Sequence, residues 1–171
     1  MGFFQRLLNK PTARDAMIPL YAALVSEARA PEWYTQGEVA DTIDGRFDMV
    51  VLMLALVVFR LEALGDAAAE SSALLTEVFI DAMDGELRQM GIDYTVGKHI
   101  GKMMSALGGR LGAYRDVRQD AAALREALVR NLYRGHAPSD AALDFVVART
   151  QALDAQISGL SLETLRAGKL A

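Results

Sequence analysis

The chain has 171 residues, no cysteine, and a net charge of −4 from 18 basic and 22 acidic side chains. This length fits one domain that buries enough apolar surface to fold without covalent cross-links. The absence of cysteine excludes disulfides, thiolate metal sites and cysteine nucleophiles, and the acidic balance argues against direct binding of nucleic acid.

The first ten residues form a distinct amphipathic segment. Its apolar residues can share one helical face beside the basic Arg6 and Lys10, and they are Phe3, Phe4, Leu7 and Leu8. Two interpretations stay open, a contact with the membrane interface or a staple onto the protein core. There is no long apolar stretch with a small-residue cleavage site, so we expect no secretory signal. We treat 1–10 as a possible membrane-interface segment and 11–171 as one domain.

Apolar residues at helical spacing predict helices along the rest of the chain. The first covers 12–29, with a break near Ile18 because Pro19 falls within it. A single helical turn at 31–34 and a loop over 36–43 follow. Further helices are predicted over 44–64, 66–90, 95–117, 120–133 and 139–157, with a short one after Ser161. No strand period or internal repeat is visible, so we predict an all-α, single-domain bundle of about six to seven helices.

The strongest apolar run covers 49–59 and is flanked by Asp48 and Arg60. It is far shorter than the ~20 residues that a membrane span needs. Because it is apolar on all sides, we expect a helix at the centre of the bundle.

Two segments, 41–45 and 81–85, share the pattern Asp-x-x-Asp-Gly. Paired aspartates in all-α enzymes can hold magnesium against a diphosphate, because hard cations prefer carboxylate oxygens. This pattern gives an enzyme alternative, a small magnesium-dependent diphosphate or prenyl enzyme. Its metal ligands would be Asp41, Asp44, Asp81 and Asp84.

We favour a structural interpretation of these acidic residues. Asp44 is a candidate N-cap, and Asp84 and Arg88 are spaced to pair along a helix. Arg46 could cross to either acidic segment. Asp44, Arg46, Asp84 and Arg88 are therefore predicted to form one network joining two helix starts. The two histidines of the chain fit no metal motif. We therefore expect no catalytic residue, metal or cofactor.

The predicted helix over 95–117 has a second, glycine-rich face. Four glycines fall within ~60° of each other at ~100° per residue, and they are Gly97, Gly101, Gly108 and Gly112. Each costs about 1 kcal/mol relative to alanine. Close packing against a helix of the same domain is the interpretation we favour; the alternative is a groove for a partner's helix. Lys98 and Lys102 make the polar side of this helix basic.

With these residues in view, the chain resembles the ubiquinol–cytochrome c chaperone family. The resemblance rests on 41–48 (DTIDGRFD) and 84–92 (DGELRQMGI), then on Val96-Gly97-Lys98, Gly109-Arg110 and Tyr114, with Tyr21, Pro31 and Trp33-Tyr34 upstream. Gln89 departs from an expected glutamate, the turn at 92–94 is shorter, and no aromatic residue precedes Gly109-Arg110. These departures concern the details of recognition more than the fold.

The resemblance implies an all-helical, non-enzymatic assembly chaperone for the cytochrome bc complex, complex III. Family members bind newly made cytochrome b, in mitochondria with a smaller partner at the ribosome exit. For this chain it implies a cytochrome b client and a ribosome or second assembly factor as a further partner. Since no transit peptide is visible, we expect a place in the bacterial cytoplasm, peripheral to the inner membrane. The glycine face is our expected client contact, since small residues let membrane helices approach closely. The alternatives are the magnesium enzyme and a peripheral lipid-binding protein.

Overall fold

A computed structural model describes residues 12–89 and 96–170, with backbone alone at 86–89, 96–100 and 102–103. These residues form helices and connecting turns, with no strand among them. A 3-10 helix at Asp15–Met17 precedes α1 Ile18–Ala28, α2 Pro31–Thr35, α3 Ile43–Ala63, α4 Asp66–Gln89, α5 Val96–Arg115, α6 Ala121–Asn131, α7 Asp140–Ser158 and α8 Leu162–Arg166. The predicted all-α, single-domain bundle is confirmed.

The predicted break near Ile18 is confirmed. The 3-10 helix ends at Met17 and α1 begins at Ile18, with Pro19 in its first turn. A proline is tolerated there because the N–H groups of a first helical turn have no partner within the helix.

Side-chain caps set the starts of several helices. Asp120, Ser139 and Ser161 accept hydrogen bonds from N–H groups of the first turns of α6, α7 and α8. At α3 the predicted N-cap, Asp44, is wrong. Thr42 is the cap, because its Oγ1 accepts a 3.1 Å hydrogen bond from the Gly45 N–H and the helix already includes Ile43.

Helix α3 occupies the centre of the bundle, as predicted. Every residue from 49 to 59 is buried, and α3 contacts α1, α4, α5 and α7. An uncharged run of this kind can be surrounded on all sides because it leaves no polar side chain without a partner. Over the described residues, no helix is both long enough and apolar enough to cross a membrane.

Candidate partner-binding site

Helix α5 presents a glycine-rich face to solvent. Gly101, Gly108 and Gly112 are exposed, and a Cβ added to any of them would meet no atom within 4 Å. The side of α5 that includes Leu107 and Tyr114 is buried. Packing of the glycine face against a helix of the same domain, the interpretation favoured from sequence, is therefore wrong at these three positions.

Part of the expected site lies outside the described side chains. Gly97 belongs to the first turn of α5, but its surroundings and the side chains of Lys98 and Lys102 are not described. Beside the three open glycines, α5 carries the exposed Ser105 and two half-buried apolar side chains, Met104 and Leu111.

Other glycines of the chain are required by close packing. A Cβ on Gly45 would lie 1.9 Å from the carbonyl oxygen of Ala40, and one on Gly37 would lie 2.5 Å from the carbonyl oxygen of Trp33. A real side chain at either position would force the backbone to move. The open α5 glycines have no such internal reason, since a larger residue would fit at each.

A buried charge network holds α5 from its other side. The Asp48 carboxylate is 1% exposed. Arg110 of α5 approaches its Oδ1 at 2.7 Å, and Arg134 from the α6–α7 turn donates from Nε to its Oδ2 at 2.6 Å. Arg134 also donates from Nη1 to Asp44 Oδ2 at 2.7 Å. One carboxylate thus joins α3, α5 and the α6–α7 turn.

Burial raises the pKa of Asp48, while the Arg134 hydrogen bond and the Arg110 charge oppose that shift. The Arg110 guanidinium also lies over the Phe47 ring, 5.8 Å from its centroid. Sequence reasoning missed Asp48 as the centre of this network. The sequence did offer an indication, because Asp48 directly precedes the apolar run and a charge buried there must be paired.

The partners predicted for the acidic motifs differ from those found. Arg46 donates from Nε to Asp41 at 2.6 Å, while Asp44 pairs with Arg134. At 100° per residue, Asp44 and Arg46 point to nearly opposite sides of α3, and they pair with different partners. Asp84 is half-buried on α4, and the Arg88 side chain lies outside the described residues.

Residues 35–171 match the sequence model of a family described as ubiquinol–cytochrome C chaperone. The chain belongs to this chaperone family. A solved structure, described as the crystal structure of the Cbp3 homolog from Brucella abortus, is 29% identical, with a TM-score of 0.79 over 96% of this chain and 91% of that chain. No curated protein matches significantly.

Several of the described residues that carry the family resemblance have structural roles in this member. Within 41–48, Thr42 caps α3, Gly45 allows the close approach of Ala40, and Asp48 binds the two arginines. Upstream, the Trp33 indole N–H donates to the Glu27 carbonyl at 2.9 Å. The resemblance predicted from these positions is confirmed, and the structure assigns them to the frame of the bundle.

The magnesium-binding arrangement required by the enzyme alternative is missing from the described part of this chaperone-family chain. No group of three or more histidine or carboxylate side chains there could hold a metal ion. Asp41 pairs with Arg46, Asp44 with Arg134 and Asp81 with Arg14. Each carboxylate is thus directed to a different arginine.

The predicted membrane-interface residues, Phe3, Phe4, Leu7 and Leu8, lie outside the described residues. That part of the site remains a prediction.

Proposed function

We propose that this protein is a non-enzymatic assembly chaperone of the cytochrome bc complex, complex III, and that it binds newly made cytochrome b. Membership of the ubiquinol–cytochrome c chaperone family supports the assembly role. The observation that carries the client contact is the open glycine face of α5.

The argument for this contact is energetic. The three open glycines of this face, Gly101, Gly108 and Gly112, together cost about 3 kcal/mol of helix propensity, against a typical domain stability of about 5–15 kcal/mol. No neighbouring atom lies within 4 Å of the Cβ position at Gly101, Gly108 or Gly112, so no internal contact offsets that cost. A bound helix would offset it, because small residues let two helix backbones approach closely.

The surroundings of the glycines suit an apolar helix. Met104 and Leu111 flank the face as half-buried apolar side chains, and methionine adapts to irregular partners. Helical register places Lys98 and Lys102 beside the glycines, so we include them with Gly97 in the proposed contact. A membrane helix of cytochrome b is the client that this combination favours.

The assembly role is tested by deleting the gene and measuring the haem spectrum and activity of complex III. We expect loss of assembled complex and its restoration by the wild-type gene. Normal complex III in the deletion strain would refute the assembly role.

The client contact is tested separately with Gly101→Leu. Since the position is open, the melting temperature should stay unchanged or rise, while pull-down of cytochrome b should be lost. Ala148→Leu is the matched control, because Ala148 is an exposed alanine within α7. A destabilised Gly101→Leu protein, or one that still captures cytochrome b, would place the client contact elsewhere.

We further propose that residues 1–10 hold the chaperone at the cytoplasmic face of a bacterial inner membrane, with Phe3, Phe4, Leu7 and Leu8 at the lipid interface. Support comes from their shared apolar face and from the membrane-protein client. A ribosome or a second assembly factor is the further partner proposed, since the client is captured as it is made.

A further inference from the structure

The outer face of α1 is uncharged from Ile18 to Ser26. Ile18, Ala22 and Val25 lie within ~60° of one another at ~100° per residue, while the buried Leu20 faces the bundle on the opposite side. Ile18 is 50% exposed, Ala22 is exposed and Val25 is half-buried. A single exposed isoleucine is ordinary. These three residues, however, form an apolar strip along two helical turns that the other described helices leave partly uncovered.

The N-terminal segment, residues 1–10, joins the bundle beside this strip. The Thr12 N–H donates to Asp15 Oδ2 at 2.9 Å, and the Asp15 N–H donates to Thr12 Oγ1 at 3.2 Å. This reciprocal pair is the capping-box arrangement, which marks the start of a helical turn and lets the preceding chain leave the helix axis. Ten residues in a helix span about 15 Å, which is also the rise from Thr12 to Ala22. The segment is therefore long enough to lie along the strip if the chain reverses direction before Thr12.

The charge at the start of the strip favours a basic neighbour. Asp15 is exposed, and among the described residues its carboxylate is bonded by the uncharged Thr12 alone. The hydrogen bond from the Thr12 N–H lowers the pKa of Asp15, so this side chain is ionised at neutral pH. Its neighbour Arg14 is directed to Asp81 of α4. Lys169, which follows a residue that packs on α1, forms no ion pair with Asp15. The carboxylate therefore stays available to a basic side chain that lies along the strip.

We propose that residues 1–10 pack on the outer face of α1 in the protein free in solution, and that a membrane surface displaces them. The segment has both features that the strip requires. Its apolar face matches the uncharged surface of α1, and the basic Arg6 and Lys10 beside that face match Asp15. This inference rests on the proposed membrane role of residues 1–10. One apolar face cannot meet α1 and lipid at the same time, so the two contacts exclude each other.

The strengths of the two contacts make such an exchange feasible. A short amphipathic segment binds membranes weakly and reversibly. Its covalent connection to α1 gives it an effective concentration of about 1 mM or more at the strip, so a small apolar contact is enough to hold it there. Packing on α1 would also cover four large apolar side chains that otherwise favour aggregation, and they are Phe3, Phe4, Leu7 and Leu8.

Disulfide crosslinking of the full chain tests this packing, because the protein has no cysteine of its own. Leu7→Cys with Ala22→Cys joins the apolar face of the segment to the strip. Gln5→Cys with Ala22→Cys is the matched control, since Gln5 lies on the opposite side of a helical segment. Under mild copper-phenanthroline oxidation we expect about five-fold more intramolecular disulfide for the first pair than for the control. Phosphatidylglycerol–phosphatidylcholine vesicles added before oxidation should remove most of that difference.

Flotation with the same vesicles separates this inference from the membrane role on which it rests. The Leu7→Cys/Ala22→Cys protein should float when reduced and stay in solution when its disulfide is closed. If both cysteine pairs crosslink equally while wild type floats, the packing on α1 is refuted and the membrane role stands. If the first pair crosslinks selectively but wild type does not float, the packing stands and the membrane role is refuted. Equal flotation of the closed and reduced forms would overturn the competition between α1 and lipid.

Discussion

Asp44 and Asp48 share Arg134 but differ sharply in exposure. The Asp48 side chain is fully buried, whereas the Asp44 side chain is 69% exposed. A buried ion pair has given up its hydration, so removal of one partner leaves a charge without compensation. A solvated pair contributes little because water and salt screen it.

We therefore expect Asp48→Ala to lower the free energy of unfolding by about 3–5 kcal/mol. Asp44→Ala, which removes a carboxylate from the same arginine, should cost at most about 1 kcal/mol. Urea unfolding of both variants measures the difference. Equal losses would show that burial does not set the strength of this network.

Glu38 makes a pH-dependent contact. Its carboxylate accepts hydrogen bonds from the Ser139 N–H at 3.0 Å and from the Ser139 hydroxyl at 2.7 Å. These bonds lower the pKa of Glu38 from its usual value of 4.5. A lowered carboxylate pKa stabilises the fold above the unfolded-state value, and that stability is lost as pH falls through the folded-state value.

Glu38→Gln should accordingly lower the melting temperature at neutral pH, and the difference from wild type should shrink below pH 4.5. Melting curves across this range check the trend. Glu126→Gln serves as control, because Glu126 is exposed and has no hydrogen bond or ion pair among the described residues. A Glu38→Gln difference that stays constant down to low pH would contradict the assignment.

At the scale of helices, exposed glycines and tightly packed glycines have opposite effects on stability. Gly101, Gly108 and Gly112 of α5 face open solvent, while Gly37 lies against Trp33 and Val146. The exposed α5 glycines lower helix propensity without allowing any closer packing. Gly37 lets the chain after α2 pack closely against α7.

Gly112→Ala should therefore raise the free energy of unfolding by about 1 kcal/mol. Gly37→Ala should lower it by about 1–3 kcal/mol, since the new Cβ would lie 2.6 Å from Val146 Cγ2. Chemical denaturation of the pair tests both signs. A destabilised Gly112→Ala protein would mean that α5 packs differently from the arrangement described.

At the scale of the whole molecule, α3 is the element that the others share. The long helices α1, α4, α5 and α7 all contact it. Its buried residues belong to the same core as Trp33 of α2, Leu128 of α6 and Leu165 of α8. A destabilising substitution at its centre should therefore lower the stability of the whole bundle.

Leu54 is fully buried near the middle of α3. Leu54→Asp should prevent stable folding, because it places an unpaired charge in the core. Leu54→Met keeps the volume and should cost less than about 1.5 kcal/mol. Circular dichroism and thermal melting distinguish these outcomes. A Leu54→Asp protein that melts like wild type would refute the central position of α3.

The sequence by itself determined the helices, the central apolar run and the family. These features depend on local spacing, caps and motif order, which can be read along the chain without knowledge of the fold. Even so, the start of α3 was misassigned, because Thr42 and Asp44 are both suitable caps and only the backbone conformation selects between them.

The tertiary structure decided which charged side chains pair and which helix faces are exposed. Asp48 binds Arg134 across 86 residues of sequence, a pairing that helical periodicity cannot indicate. Gly101, Gly108 and Gly112 share one face in any helix, but whether that face is covered depends on the positions of α3, α4 and α6 around it. Sequence spacing fixes which residues lie together on a helix; only the packing of the other helices fixes which way they face.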